Sequence, residues 1–92
     1  MFANGMNDLV VFVTVAREGN FTRAAARLGV SPSAVSQTMR GLEERLGVRL
    51  LTRTTRSVTR TEAGERLLNE IAPLLDQIEI HLNAVSDLRQ RP

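Results

Sequence analysis

Three residues, Gly29-Val30-Ser31, are all that separate two stretches of helical periodicity in this chain. A joint that short forces the two helices to meet at a sharp angle, the geometry of a helix-turn-helix. Upstream of the joint, Phe21, Ala24, Ala25 and Leu28 share one face, Asn20 is placed to cap the helix, and Gly29 stands where a left-handed C′ residue belongs. Downstream, Ser31 is the expected N-cap and Pro32 the first helical residue, Val35, Met39, Leu42 and Leu46 form an apolar seam, and Gly47 ends the helix. Ala25 is small enough to let the two helices approach, and Val35 is positioned to pack into the joint.

Around this unit the rest of the chain is short. Met6, Leu9, Val10, Val13 and Ala16 follow i, i+3, i+4, i+7 spacing and predict a preceding helix, capped by Asn7 or Asp8 and ended by Gly19. From Val48 to Arg60 the pattern turns β-prone, with pieces at 49–53 and 56–60 around Thr54-Thr55, which predicts a small two-stranded wing. Thr61 then caps a last helix whose first turn carries Glu62, a charge that suits the macrodipole. Along it Leu67, Ile71, Leu74, Ile78, Leu82, Val85 and Leu88 recur by threes and fours. A helix from 62 to about 90 would be roughly 40 Å long, more than a small three-helix body can cover. Its apolar stripe, Leu67, Ile71, Leu74, Ile78, Leu82 and Val85, therefore asks for a partner. Pro73 inside it is expected to bend it. Gly64 in its first turn is expected to let it press against the first helix. The expected fold is mainly α: a winged helix-turn-helix of three helices plus a short two-stranded wing over residues 1–60, then a long C-terminal dimerisation helix over 61–92.

A formal net charge of +2 conceals a strong asymmetry. Residues 17–60 hold nine arginines against Glu18, Glu43 and Glu44, a net of +6, whereas residues 61–92 hold three arginines against six acids, a net of −3. A basic body is the electrostatic footprint of a phosphate binder. The outward face of the third helix carries Ser33, Ser36, Gln37 and Arg40, again at helical spacing, and all are small or hydrogen-bonding types. A polar helix end free of acids fits the major groove, where Gln bonds adenine edges and Arg bonds guanine or phosphate. Glu43 and Glu44 fall in the last turns, where they are expected to stay clear of a duplex. Arg53 and Arg56 flank the wing turn, within reach of phosphate or a narrow minor groove.

Other chemistry finds little to work with. The sequence has no Gly-x-Ser-x-Gly elbow, no P-loop, no Gly-x-Gly-x-x-Gly and no histidine–carboxylate metal pair. With one histidine, His81, and no cysteine, no metal site, cofactor or disulfide is expected. No apolar run is long enough for a membrane span and no secretory signal is visible, so a cytoplasmic home is expected. The rival reading is a protein-binding module that docks through the long apolar helix without DNA. The basic wing and the open polar face argue against it.

The chain resembles the N-terminal domain of LysR-type transcriptional regulators. The resemblance runs through Phe21-Thr22-Arg23-Ala24-Ala25-Ala26-Arg27-Leu28, Val30-Ser31-Pro32-Ser33-Ala34-Val35-Ser36-Gln37, Leu42-Glu43-Glu44-Arg45-Leu46-Gly47-Val48-Arg49-Leu50-Leu51, Arg53-Thr54-Thr55-Arg56-Ser57-Val58 and Thr61-Glu62-Ala63-Gly64. It covers about residues 6 to 90, and the ordered series is far more specific than a lone helix-turn-helix. It implies a homodimer, or a tetramer in the full-length protein, on a partly palindromic double-stranded promoter site, paired through antiparallel linker helices. It puts base reading on Pro32, Ser33, Ser36 and Gln37, and backbone or wing contacts on Thr22, Arg53 and Arg56. It also implies a ligand-sensing domain after the linker helix, so these residues are expected to be a fragment without an inducer pocket. Two positions depart from the pattern: Leu51 stands where Phe is usual, and Arg60 where an apolar residue or proline is usual.

Overall fold

The computed structural model describes the backbone of residues 2–54 and 57–89 and the side chains of residues 7–54 and 57–89. In chain order the elements are α1 (Phe2–Glu18), α2 (Phe21–Leu28), α3 (Pro32–Leu46), β1 (Leu51–Arg53), β2 (Val58–Arg60) and α4 (Glu62–Leu88).

Local capping sets most of these boundaries. The Asn20 side chain accepts from the Arg23 amide at 2.9 Å, and the Ser31 hydroxyl accepts from the Ala34 amide at 3.1 Å. Gly29, at φ 72°, closes α2 and turns the chain into α3, and Pro32 opens α3. Thr61 caps α4 by accepting from the Gly64 amide at 3.0 Å. The start of α1 departs from expectation: the helix begins at Phe2, so Asn7 and Asp8 lie inside it rather than capping it. Asp8 instead ion-pairs with Arg45 of α3, a use that no local pattern announces.

The core gathers around α1. Phe12, Val15, Val35, Met39, Leu50 and Leu51 are its largest fully buried side chains, joined by Val11, Val13, Ala16, Ala24, Ala25, Leu42, Val58, Leu68 and Ala72. Because α1 meets α2, α3, β2 and α4, it buries more than one stripe. Two expected core positions lie elsewhere. Val10, expected inside, is 41% exposed, while Phe12 and Val15 take the centre; at the far end of α3, Leu46 is 51% exposed. The place that the seam would give to an apolar residue in α3 goes to Glu43, which is buried.

The wing is an antiparallel pair with register Leu51↔Arg60, Thr52↔Thr59 and Arg53↔Val58. Leu51 and Val58 face the core and Thr52 and Thr59 face out, the alternation of a half-buried ribbon. Thr54 and Ser57 close it, the Thr54 amide donating to the Ser57 carbonyl at 2.9 Å. β2 is tied back to the end of α1 by the Val58 amide, which donates to the Gly19 carbonyl at 3.0 Å.

Helix α4 runs continuously through Pro73 and gives the molecule its long axis, 51 × 24 × 21 Å overall. Its first turns belong to the body. Gly64, Leu68 and Ala72 are buried, and Ala63, Leu67, Ile71 and Leu75 pack against the core at the margin. The glycine is required by a close approach to the wing: a Cβ at Gly64 would lie 2.0 Å from the Leu50 carbonyl oxygen, in the segment entering β1, while α4 also packs against α1. The described residues after Leu75 are exposed.

Candidate nucleic-acid interface

Helix α3 is held from behind by Val35, Met39 and Leu42, which leaves its opposite face free. Pro32, Ser33, Gln37 and Arg40 are exposed there and Ser36 is half-buried. With Phe21 they line one shallow concavity that contains no acidic residue. The residues of this face are not all independent, since Arg40 donates through Nη2 to the Ser36 hydroxyl at 2.9 Å. On this face that bond leaves Ser33 and Gln37 without a side-chain hydrogen bond among the described residues. Thr22 is exposed in the first turn of α2, beside Phe21 and the Asn20 cap. There the unpaired backbone amides of the helix start favour an anion.

The wing arginines fare differently. Arg53 is not a free surface cation: its side chain is 23% exposed, Nη2 lies 3.3 Å from the Glu43 carboxylate, and the guanidinium carbon sits 5.2 Å from the centre of the Phe21 ring. Arg56 lies outside the described residues. Arg60, whose role the sequence leaves open, donates to both carboxylate oxygens of Glu65 at 3.0 and 3.3 Å and so ties β2 to the first turns of α4. Arg49 remains 69% exposed, with Nε 3.7 Å from Glu43. Together Arg40, Glu43, Glu44, Gly47, Val48, Arg49 and Arg53 line an open groove between α3 and the wing.

Glu43 takes a structural place at this site that the sequence expectations do not include. The sequence predicts only that Glu43 and Glu44 stay clear of a duplex; Glu44 is exposed, whereas Glu43 is 7% exposed. Its Oε2 accepts from the Leu50 and Leu51 amides at 2.7 and 3.1 Å, and its Oε1 accepts from Arg53. One carboxylate thus secures the entry of β1 to α3. The signal was present: Glu43 is four residues after Met39 and eight after Val35, on the buried face, where a carboxylate must find donors.

The apolar stripe of α4 divides into two parts. Leu67 and Ile71 lie half-buried against the core, whereas Leu74, Ile78, Leu82, Val85 and Leu88 are 62%, 43%, 64%, 67% and 61% exposed. His81 is exposed on the same distal segment. Among the described residues no cluster of three metal-ligating side chains occurs, and no helix is long and apolar enough to cross a membrane.

Comparison with known proteins places this arrangement. Residues 6–65 match the family described as bacterial regulatory helix-turn-helix protein, lysR family. A protein of Pseudomonas aeruginosa is 61% identical over 92 residues, which is all of this chain and 30% of that protein. The HTH-type transcriptional regulator PgrR of Escherichia coli is 59% identical over 85 residues, covering 92% of this chain and 28% of its own length. The chain therefore spans less than a third of either relative. Among solved structures, the BenM_DBD chain in its complex with catB site 1 DNA superposes with a TM-score of 0.79 at 29% identity, covering 94% of this chain and 97% of that one.

Proposed function

The chain belongs to the bacterial regulatory helix-turn-helix proteins of the lysR family, and from that premise we propose that it is the part of a transcriptional regulator that binds double-stranded DNA in a sequence-specific way. Helix α3 enters the major groove and the wing lies along the backbone or the minor groove. The observation that carries this reading is the acid-free face Pro32, Ser33, Ser36 and Gln37, presented on a helix anchored from behind by the core. The likeness to a domain crystallised with duplex DNA supports it. Pro32, Ser33, Ser36 and Gln37 address base edges, Arg40 a base edge or phosphate, and Thr22 and Arg56 the backbone or minor groove. Arg53 stands at the base of the wing, turned toward Glu43. Residues 1–60 form the DNA-reading unit and 61–92 the linker and pairing helix. The domain works in the cytoplasm, with no catalytic activity of its own.

The finer partner is a second copy. Leu74, Ile78, Leu82 and Val85 form one stripe beyond the reach of the body, and an exposed apolar stripe on a protruding helix calls for burial. Antiparallel pairing of two α4 helices buries it and places two α3 helices for a partly palindromic site. The test is binding of the 92-residue chain to its neighbouring promoter fragment and to an unrelated duplex, across a salt series. Tighter binding to the promoter, weakening steeply with salt, is expected. Equal, salt-insensitive retention of both duplexes would remove the reading.

A further inference from the structure

We propose that Arg53 serves DNA recognition as a positioning residue, fixing the wing to α3 through Glu43 and to α2 through Phe21, and makes no phosphate contact of its own. The proposal rests on the reading of the chain as a DNA-binding domain.

Three observations carry it. The first is direction. The Arg53 guanidinium faces a carboxylate that is 7% exposed and lies over the Phe21 ring, and its Nε is buried with no hydrogen-bond partner among the described residues. These features point the group into the seam between wing and body, in contrast to Arg49, whose side chain is 69% exposed.

The second is charge. Two arginines share the Glu43 carboxylate, Arg53 at 3.3 Å and Arg49 at 3.7 Å, and Arg53 is the closer and the more buried of them. A cation already matched by a buried carboxylate releases no counterion from the DNA, so it adds nothing to the salt-dependent part of affinity. The planar fork and the ring contact are features of arginine specifically, which a phosphate contact through a point charge would not need.

The third is mechanical. Each wing strand has three residues, and an isolated hairpin is marginal at best in water. Its orientation must come from attachments at its base. The Glu43 carboxylate supplies them for β1, through the Leu50 and Leu51 amides and Arg53; the Arg60–Glu65 pair supplies one for β2. Of these groups, Arg53 is the one that joins the wing to both helices of the helix-turn-helix.

The test compares the parent, Glu43→Gln, Arg53→Ala, Arg53→Lys and the double variant Glu43→Gln/Arg53→Ala. Each is titrated with a duplex that the parent selects from a random-sequence pool, and amide hydrogen exchange of Leu51–Arg53 and Val58 is read without DNA. In Glu43→Gln the new side-chain amide keeps an oxygen for the two backbone donors and loses the acceptor for Arg53. Positioning predicts that Glu43→Gln weakens binding about tenfold, although it removes a negative charge near the DNA, and that it adds nothing when Arg53 is already replaced by Ala. Wing amides should exchange faster in both single variants. Arg53→Lys should bind as poorly as Arg53→Ala.

A phosphate contact predicts the reverse. Glu43→Gln would leave affinity unchanged or raise it, Arg53→Lys would retain near-parental binding, and Arg53→Ala would reduce the salt slope by about 1 with wing exchange unaltered. That set of results overturns the proposal. Should Glu43→Gln fail to fold, the Lys and Ala variants at position 53 still separate the two. A parent that selects no duplex overturns the DNA-binding reading itself, a different failure from that of Arg53 alone.

Discussion

Gln37 carries the one long amide on the exposed N-terminal half of α3, and no hydrogen bond within the described residues occupies it. An amide can donate to and accept from one base edge at once, so Gln37→Ala should cost about 1–3 kcal/mol on the selected duplex. Non-specific binding should hardly change, since no charge is lost. A selection experiment with the variant checks this: an unaltered preferred motif would remove Gln37 from the base readers. Ser36, already holding Arg40, should give a smaller loss on truncation, because the arginine is freed to bond elsewhere. Two glycines form a matched stability test at the same scale. Gly64→Ala places a methyl group 2.0 Å from the Leu50 carbonyl oxygen, a backbone atom that no rotamer change relieves. Its overpacking cost, about 1–3 kcal/mol or more, should outweigh the gain in helix propensity. At Gly41 the nearest atom is the Arg45 Nη1 at 3.7 Å, the far end of a flexible chain, so Gly41→Ala should stabilise by up to about 1 kcal/mol. Thermal unfolding of the two variants should move in opposite directions.

At the scale of elements, the wing and α4 show how far a periodic pattern can be read. The wing was legible as a β-prone stretch, and the observed strands fall within the expected pieces. Its attachment was not legible, because Arg53, Arg60 and Thr61 meet Glu43, Glu65 and the Arg49 carbonyl through folding of the chain rather than through a repeat. Arg56 lies outside the described residues, and its role rests on sequence: Arg56→Ala should weaken binding to all duplexes and lower the slope of log affinity against log salt by about 1 per protomer. An unchanged slope in a salt titration would place it off the DNA. In α4 the expected stripe from Leu67 to Leu88 leaves out the residues that are buried against the body. Gly64, Leu68 and Ala72, at i, i+4 and i+8, turn toward the body, while Leu74, Ile78, Leu82 and Val85 continue outward on an adjacent face. A list of apolar positions does not distinguish them, since both obey helical spacing. Arg17 of α1 and Asp76 of α4, paired at 3.2 Å, mark where the helix leaves the body. Both are exposed, so the pair marks the position more than it holds it.

The whole molecule is a compact body with a protruding helix, and its charge follows the same division: arginines concentrate in the helix-turn-helix and wing, acids on α4. One end suits a polyanion and the other keeps acidic side chains away from it. The proposed self-association would rest on the whole protruding stripe and not on any one residue. Replacing Leu74, Ile78 and Leu82 together with Ser should leave the body folded, because these side chains are 62%, 43% and 64% exposed in the single chain. It should convert dimers to monomers in sedimentation velocity. Affinity for a two-half-site duplex should fall far more than affinity for a single half-site, since the loss is one of linkage. A parent that sediments as a monomer at high concentration would contradict this.

What the amino-acid order alone determined here is local. The ends of α2 and α3, the cap of α4 and the acid-free face of α3 follow from caps, left-handed glycines and helical spacing, which act within a turn or two of chain. The tertiary structure decided whatever depends on residues distant in sequence. It moved Val10 outward and Phe12 and Val15 to the centre, because α1 is enclosed by several elements at once, and it left Leu46 exposed at the end of α3. It buried Glu43 beneath the wing and turned Arg53 inward to meet it. It also set Gly64 against the Leu50 backbone, fourteen positions away in sequence. The physical reason is common to all three: burial and charge pairing are settled by which surfaces meet, and helical periodicity specifies a face without specifying what lies opposite it.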